Sequence, residues 1–197
     1  MSVLDHHHKL TLQRLQKLHR GTPDCVVFLL AGSLPASALL HLRMLGLLGM
    51  VARLGPTQIL HRHATHTLLS CTPTKSWFEL VRSICSLYSL PDPLLVLQNP
   101  STKFAWKNLC KSRVIDWWEQ HLRGQAALLP SLQLFKSAFM SLTTPHPIWT
   151  TANSPYEISK AVVSARMLSG RYRTDYLSRH WSKRNPSGHC TLPGCDE

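Results

Sequence analysis

The chain has 197 residues, the size of one ordinary domain or of two small helical subdomains. Its apolar content of 44% is enough for a hydrophobic core and argues against wholesale disorder. The 22 Lys and Arg against 10 Asp and Glu give a formal net charge of +12, which favours nucleic acid or acidic lipid as a partner. A positive surplus can also serve solubility alone, so charge by itself does not choose between these uses.

The cysteines and the N-terminus indicate an intracellular protein of the nucleus or the cytoplasm. The six cysteines form no compact disulfide pattern, and residues 1–8 are polar and rich in His rather than a signal peptide. We therefore expect a reducing compartment in which most thiols are buried.

Residues 25–42 contain no Lys, Arg, Asp or Glu, which reaches the length of a membrane span. Gly32, Ser33 and Pro35 interrupt this run, and Arg43 follows it directly. Two shorter buried segments explain the pattern better than one membrane helix, so no membrane partner is expected.

The first half of the chain is predicted to be helical. Apolar residues at helical spacing, ended by Gly or Pro, predict helices over 4–19, 35–54, 57–70 and 74–88, with 26–31 left as a helix or a strand.

The helix over 35–54 is apolar nearly all round, so we expect it at the centre of the core, with Ser33 as its N-cap. Gly46 and Gly49 are expected to let a neighbouring helix approach closely.

Three histidines, His61, His63 and His66, lie in the helix over 57–70. His63 and His66 can share a helix face, as metal ligands would. No Cys or carboxylate lies near them in sequence, so we assign no ligand here.

Residues 91–100 contain three prolines and mark a connector between helical subdomains. The expected division is an N-terminal helical subdomain over 1–90, a basic helical subdomain over 101–184 and a short tail over 185–197.

A long helix is predicted over 101–123, capped by its first residue and ended by the glycine that follows it. Lys103, Lys107 and Lys111 fall at i, i+4 and i+8 of this helix and form one continuous stripe, named here the lysine ridge. Such a ridge suits successive phosphates of a nucleic acid.

Trp106, Trp117 and Phe104 flank the lysine ridge and have two alternative roles. Their rings could stack on bases. Alternatively, the helix is buried on two sides and the lysine stems extend outward from it.

The end of the chain begins with a strong helix-start pattern. Residues 128–142 are predicted to be helical and 143–153 to be a loop. Ser154 and Glu157 then have the spacing of a capping box, and the helix they begin is expected to end at Gly170.

Positive charge is dense from the middle of this helix onward. Between residues 160 and 184, seven Lys and Arg stand against one acid. Guanidinium groups match phosphate geometry, so this segment is a second candidate phosphate-binding surface, formed by Arg171, Arg173, Arg179, Lys183 and Arg184.

Cys190 and Cys195 place two thiols on a tight turn and form half of a zinc knuckle. A structural zinc needs four ligands, and His189 is poorly placed to be the third. The site is therefore incomplete, and zinc is expected only if the chain extends beyond Glu197. The alternative is a pair of free thiols.

Enzyme signatures are absent from the sequence. It has no closely paired acids for two metal ions, no Gly-rich phosphate loop, no G-x-S-x-G and no H-E-x-x-H. We predict no catalytic residues and no cofactor in this chain.

Three long segments carry a resemblance to one protein family: TPDCVVFLLAGSLPASALLHLRMLGLLGMVARLG, WKNLCKSRVIDWWEQHLRG, and ARMLSGRYRTDYLSRHWSK followed by C-x4-C. They resemble the region behind the polymerase domain in non-LTR (LINE-type) retrotransposon reverse-transcriptase polyproteins. Family members carry an endonuclease, a polymerase with an aspartate pair, and then this region, which ends in a C-C-H-C knuckle. The resemblance implies a fragment or remnant whose parent activity is RNA-directed DNA synthesis.

The expected fold is therefore all-α, a multi-helix bundle or two small helical subdomains with an irregular C-terminal tail. The expected function is non-catalytic binding of RNA or DNA through phosphate contacts. The alternative is a helical interaction module that packs on the missing polymerase domain and has no activity of its own.

Overall fold

The computed structural model describes residues 2–70, 76–132, 135 and 140–170, and these residues form helices and connecting turns without a β-strand. The all-α prediction is confirmed. The helices are α1 (Val3–Leu15), α2 (Asp24–Ala31), α3 (Ala36–Ala52), α4 (Ile59–Leu69), α5 (Trp77–Leu87), α6 (Pro93–Gln98), α7 (Lys103–Ala127), α8 (Pro147–Thr150) and α9 (Pro155–Leu168), with a 3-10 turn at Pro130–Leu132.

Helices α3 and α7 organise the core. α3 packs against α1, α4, α5, α6 and α7, and α7 also packs on α2. α2 is buried along most of its length, which explains why its short apolar run has no polar side. Burial of each large aliphatic side chain contributes about 1.5–3 kcal/mol, so these helices supply much of the stability.

The two glycines of α3 face different surroundings. The prediction that they let a neighbouring helix approach closely is confirmed for Gly49 and wrong for Gly46. A Cβ on Gly49 would overlap the indole of Trp106, which shows that α7 approaches α3 closely there. A Cβ on Gly46 would meet nothing within 4 Å. Gly46 therefore opens space beside α3 instead of allowing a helix to pack.

The start of α3 differs from the prediction. Its N-cap is Pro35, which has no side-chain hydrogen bond to offer, and not Ser33. Asp5 of α1 takes over this role, because its carboxylate accepts a 2.8 Å hydrogen bond from the backbone N–H of Ser37. Burial opposes the charge of Asp5, but the hydrogen bonds from Ser37 and Ser2 lower its pKa overall.

The limits of α7 also differ from the prediction. Thr102 is the N-cap, and its hydroxyl accepts a hydrogen bond from the N–H of Ala105. The helix continues through Gly124 to Ala127. One glycine costs a helix only about 1 kcal/mol, and burial of Leu122 and Ala126 on either side of it offsets that cost.

Helix α9 begins as the sequence predicts. Ser154 and Glu157 form a complete capping box, and Gly170 follows the helix with a φ of +63°. The segment over 143–153, predicted to be a loop, contains the short helix α8. Arg166 ties α9 to the end of α1 through a 2.9 Å hydrogen bond to the carbonyl of Lys17.

The proline-rich segment over 91–100 forms α6, which packs on α3, α4 and α5. Its Val96 and Leu97 are buried, and residues before and after it belong to one hydrophobic core. The division of the chain into the expected subdomains stays a prediction.

Within the described ranges, no single helix has the length and apolar content to cross a membrane. α2 and α3 pass that test only as a pair, with a bend of 62° between them.

Candidate nucleic-acid interface

The lysine ridge lies along the exposed side of α7. Lys103, Lys107 and Lys111 are all exposed, one helical turn apart. At 1.5 Å per residue, the ridge extends over about 12 Å, which is the length of several phosphates along one nucleic-acid strand.

Arg53, at the C-cap of α3, joins the lysine ridge across a groove of about 220 Å³. The groove runs between α3 and α7. Its walls carry the four cationic residues, and its remaining lining is Leu42, Gly46, Trp106 and Cys110. Arg53 could not be recognised from the sequence as part of this site, because no spacing pattern connects it with α7.

No carboxylate lies within ion-pair distance of these four cations in the part of the chain that the structure describes. The ion pairs there use other cations, namely Lys9 with Asp24, Arg82 with Glu79 and Asp92, and Arg123 with Glu119. The positive charge of the groove is therefore uncompensated by neighbouring acids.

The aromatic residues beside the lysine ridge differ in whether their rings are buried in the core or exposed for stacking on bases. Trp106 is 4% exposed, and its indole Nε1 donates a 2.7 Å hydrogen bond to the carbonyl of Leu45, so it cannot stack on bases. Trp117 is half-buried and stacks on His121. Phe104 is 76% exposed, one residue after Lys103, and is free to meet a base.

A hydrogen-bonded group of three side chains joins α3, α7 and the C-terminal end of α5. The indole of Trp118 on α7 donates to the hydroxyl of Tyr88 at 3.0 Å, and that hydroxyl lies 2.7 Å from Nδ1 of His41 on α3. Burial lowers the pKa of His41, which favours its neutral form. Since Trp118 can only donate, the hydroxyl oxygen of Tyr88 accepts from Trp118, and its direction of hydrogen bonding with Nδ1 of His41 depends on the tautomer of the imidazole.

Glu119 anchors residues 141 and 142 to α7. Its carboxylate accepts hydrogen bonds from Ser141 and from the backbone N–H of Leu142, both at 2.9 Å, besides its ion pair with Arg123. Asp116, by contrast, is exposed and accepts one hydrogen bond from Ser112.

The histidines of α4 have structural neighbours. His63 lies edge-on to Phe78, and His61 Nε2 lies 3.5 Å from the carbonyl of Leu97. Among the residues described, no group of three or more His, Cys, Asp or Glu is arranged to hold a metal ion.

Three cysteines within the described ranges, Cys25, Cys85 and Cys110, are buried and unpaired. Burial raises the pKa of the Cys25 thiol to about 11 and that of Cys85 and Cys110 to about 12. These thiols are protonated at neutral pH and act as small apolar core residues.

The second candidate surface and the knuckle pair lie outside the described residues, which end at Gly170: Arg171, Arg173, Arg179, Lys183, Arg184, Cys190 and Cys195.

Comparison with family models, with curated proteins and with solved structures finds no match to this chain. The resemblance to LINE-type polyproteins therefore stays a prediction.

Proposed function

We propose that this chain is a non-catalytic nucleic-acid-binding region, derived from the C-terminal part of a LINE-type retrotransposon reverse transcriptase. It holds RNA or DNA through phosphate contacts. One observation carries the proposal: Arg53 and the lysine ridge line a single groove with no acid paired to them in the described residues.

The chemistry of the four side chains fits this role. The lysines act as flexible point charges along a strand, while the guanidinium of Arg53 can bind one phosphate through two hydrogen bonds. Each neutralised phosphate releases condensed counterions, and four contacts to a single strand give a slope of log K against log salt of about −3.

The groove recognises phosphate rather than base sequence. Trp106 is engaged in the core, so Phe104 is the aromatic ring available beside the ridge. One exposed ring adds stacking energy of about 1–3 kcal/mol without discriminating between bases. A region of this kind grips a template or target while another domain performs chemistry.

The decisive experiment measures binding of labelled single-stranded RNA, and separately of duplex DNA, by fluorescence anisotropy over a range of salt concentrations. The triple variant K103Q/K107Q/K111Q is expected to reduce the salt slope to about −1. The matched control R14Q/K17Q/R20Q removes the same charge from exposed cations that lie away from the groove. Equal losses in both variants would show that only net charge matters.

A second function has its own supporting observation. α3 exposes Leu39, Leu40, Leu47 and Met50, named here the apolar row, at 42–48% of their surface. An interaction module that packs on a polymerase domain needs such a face. In that case the isolated chain shows no salt-dependent nucleic-acid binding and self-associates or binds an apolar dye.

A further inference from the structure

Helix α3 has two apolar faces, one buried in the core and the other partly exposed. Ala38, Leu45 and Ala52 are buried in the core, while the apolar row lies on the opposite side. From Leu39 to Met50 the row spans three helical turns, about 17 Å. A row of this length matches the contact that one amphipathic helix makes when it lies in a groove.

The surroundings of the apolar row are cationic. Arg43 is exposed within the same helix face, and Arg53 lies at its C-terminal end. Along one flank, exposed Gly46 opens into the groove that carries the lysine ridge. A partner that covers the apolar row therefore meets positive charge at Arg43, between Leu39 and Leu47, and along the flank of the row.

We propose that the apolar row and the adjoining groove bind an acidic amphipathic α-helix of a partner protein. Leucine-like side chains of that helix pack on the apolar row. Carboxylates along its edge pair with Arg43, Arg53 and the lysine ridge. The proposal rests on the proposed function for its cations, and it uses the same apolar row as the second function, for which it specifies the chemistry of the partner.

Two other occupants fit the surface less well. A second copy of the chain would bring Arg43 and Arg53 against like charges, which is unfavourable at a symmetric interface. A lipid surface requires apolar side chains that protrude beyond their neighbours. The side chains of the apolar row are more than half covered, and a concave groove lies beside them.

The test uses the full chain and a synthetic helical peptide of about 14 residues, with Leu at i, i+4, i+7 and i+11 and Glu at its edges. A second peptide carries Lys at every Glu position. Binding is measured by isothermal titration calorimetry. We expect the Glu peptide to bind at least tenfold more tightly than the Lys peptide. Equal binding of the two peptides, or none, would overturn the proposal.

Two variants test whether the Glu peptide binds at this surface. L47S/M50S is expected to weaken the Glu peptide at least tenfold, whereas L15S, at an exposed leucine of α1, leaves it unchanged. R43E is expected to weaken the Glu peptide and strengthen the Lys peptide, a charge swap that loss of folding cannot mimic. Far-UV circular dichroism checks each variant. Binding that none of these variants alters would place the peptide elsewhere and reject the proposal.

Further measurements separate this inference from its competitors. L47S/M50S should bind RNA with the same affinity as the unmodified chain. The RNA-binding proposal and the helix-binding proposal can therefore fail independently of each other. If the chain binds phosphatidylserine vesicles but not the Glu peptide, and L47S/M50S abolishes the vesicle binding, then this surface binds a membrane and not a partner helix. If analytical ultracentrifugation shows a dimer of the chain, and L47S/M50S dissociates that dimer, then this surface binds a second copy of the chain.

Discussion

The indole of Trp106 lies against the backbone of Gly49, and its Nε1 donates a 2.7 Å hydrogen bond to the carbonyl of Leu45 one turn earlier. This contact brings α7 close to α3. It also sets the position of the lysine ridge relative to Arg53. The geometry of the proposed phosphate groove thus depends on one buried residue that touches no phosphate.

The two glycines of α3 provide a matched pair for testing this contact. G49A should destabilise the protein by about 1–3 kcal/mol, because its methyl group overlaps the Trp106 ring. G46A should stabilise it by about 0.5–1 kcal/mol, because alanine favours the helix and its methyl group meets open space. Urea unfolding followed by circular dichroism measures both. Equal effects of the two variants would contradict this packing.

Arg53 should contribute one phosphate contact. R53Q is expected to lower the salt slope of single-stranded RNA binding by about 0.7, since one fewer counterion is released. R113Q removes the same charge from an exposed position of α7 that does not line the groove, and should leave the slope unchanged. Anisotropy titrations at several salt concentrations distinguish the two. If both variants change the salt slope equally, Arg53 does not belong to the binding site.

Glu119 should matter for stability and its neighbour Asp116 should not. E119Q weakens the acceptor for Ser141, Leu142 and Arg123, so we expect a loss of about 1.5–3 kcal/mol. D116N, three residues earlier at an exposed position, should change the free energy of unfolding by less than about 0.5 kcal/mol. Thermal and urea unfolding of both variants test this. Similar values for both would mean that Glu119 does not anchor residues 141 and 142.

His41 should make stability dependent on pH. Its pKa is lowered by burial from the ordinary value of 6.5, so the folded protein favours the neutral ring. This contribution is complete above pH 6.5 and is lost as pH falls toward the folded pKa, because the unfolded chain binds the proton more readily. Burial lowers the pKa of His146 as well, which adds to the same trend.

H41Q retains a hydrogen-bonding partner for the Tyr88 hydroxyl but does not titrate. We therefore expect its free energy of unfolding, measured by urea titration between pH 5 and pH 8, to fall less on acidification than that of the unmodified chain. H121Q, at an exposed position, is the control. If H41Q and the unmodified chain lose stability in parallel, His41 is not responsible.

Local patterns predicted much of the secondary structure. The capping box of Ser154 and Glu157 depends only on neighbouring residues, and it forms as expected. The N-terminus of α3 was mispredicted, because its partner, Asp5, lies 32 residues away in sequence. The end of α7 was mispredicted for a similar reason, since burial of Leu122 and Ala126 carries the helix past Gly124.

The sequence by itself determined that the chain is helical, that it is strongly basic and that three lysines share one stripe of α7. These properties follow from composition and from the 3.6-residue period of a helix. Only the tertiary structure decided that Arg53 faces that stripe, that Trp106 is buried and that the apolar row of α3 stays partly exposed. The physical reason is that apolar periodicity identifies which faces can be buried, whereas the packing of distant helices determines which of them is covered.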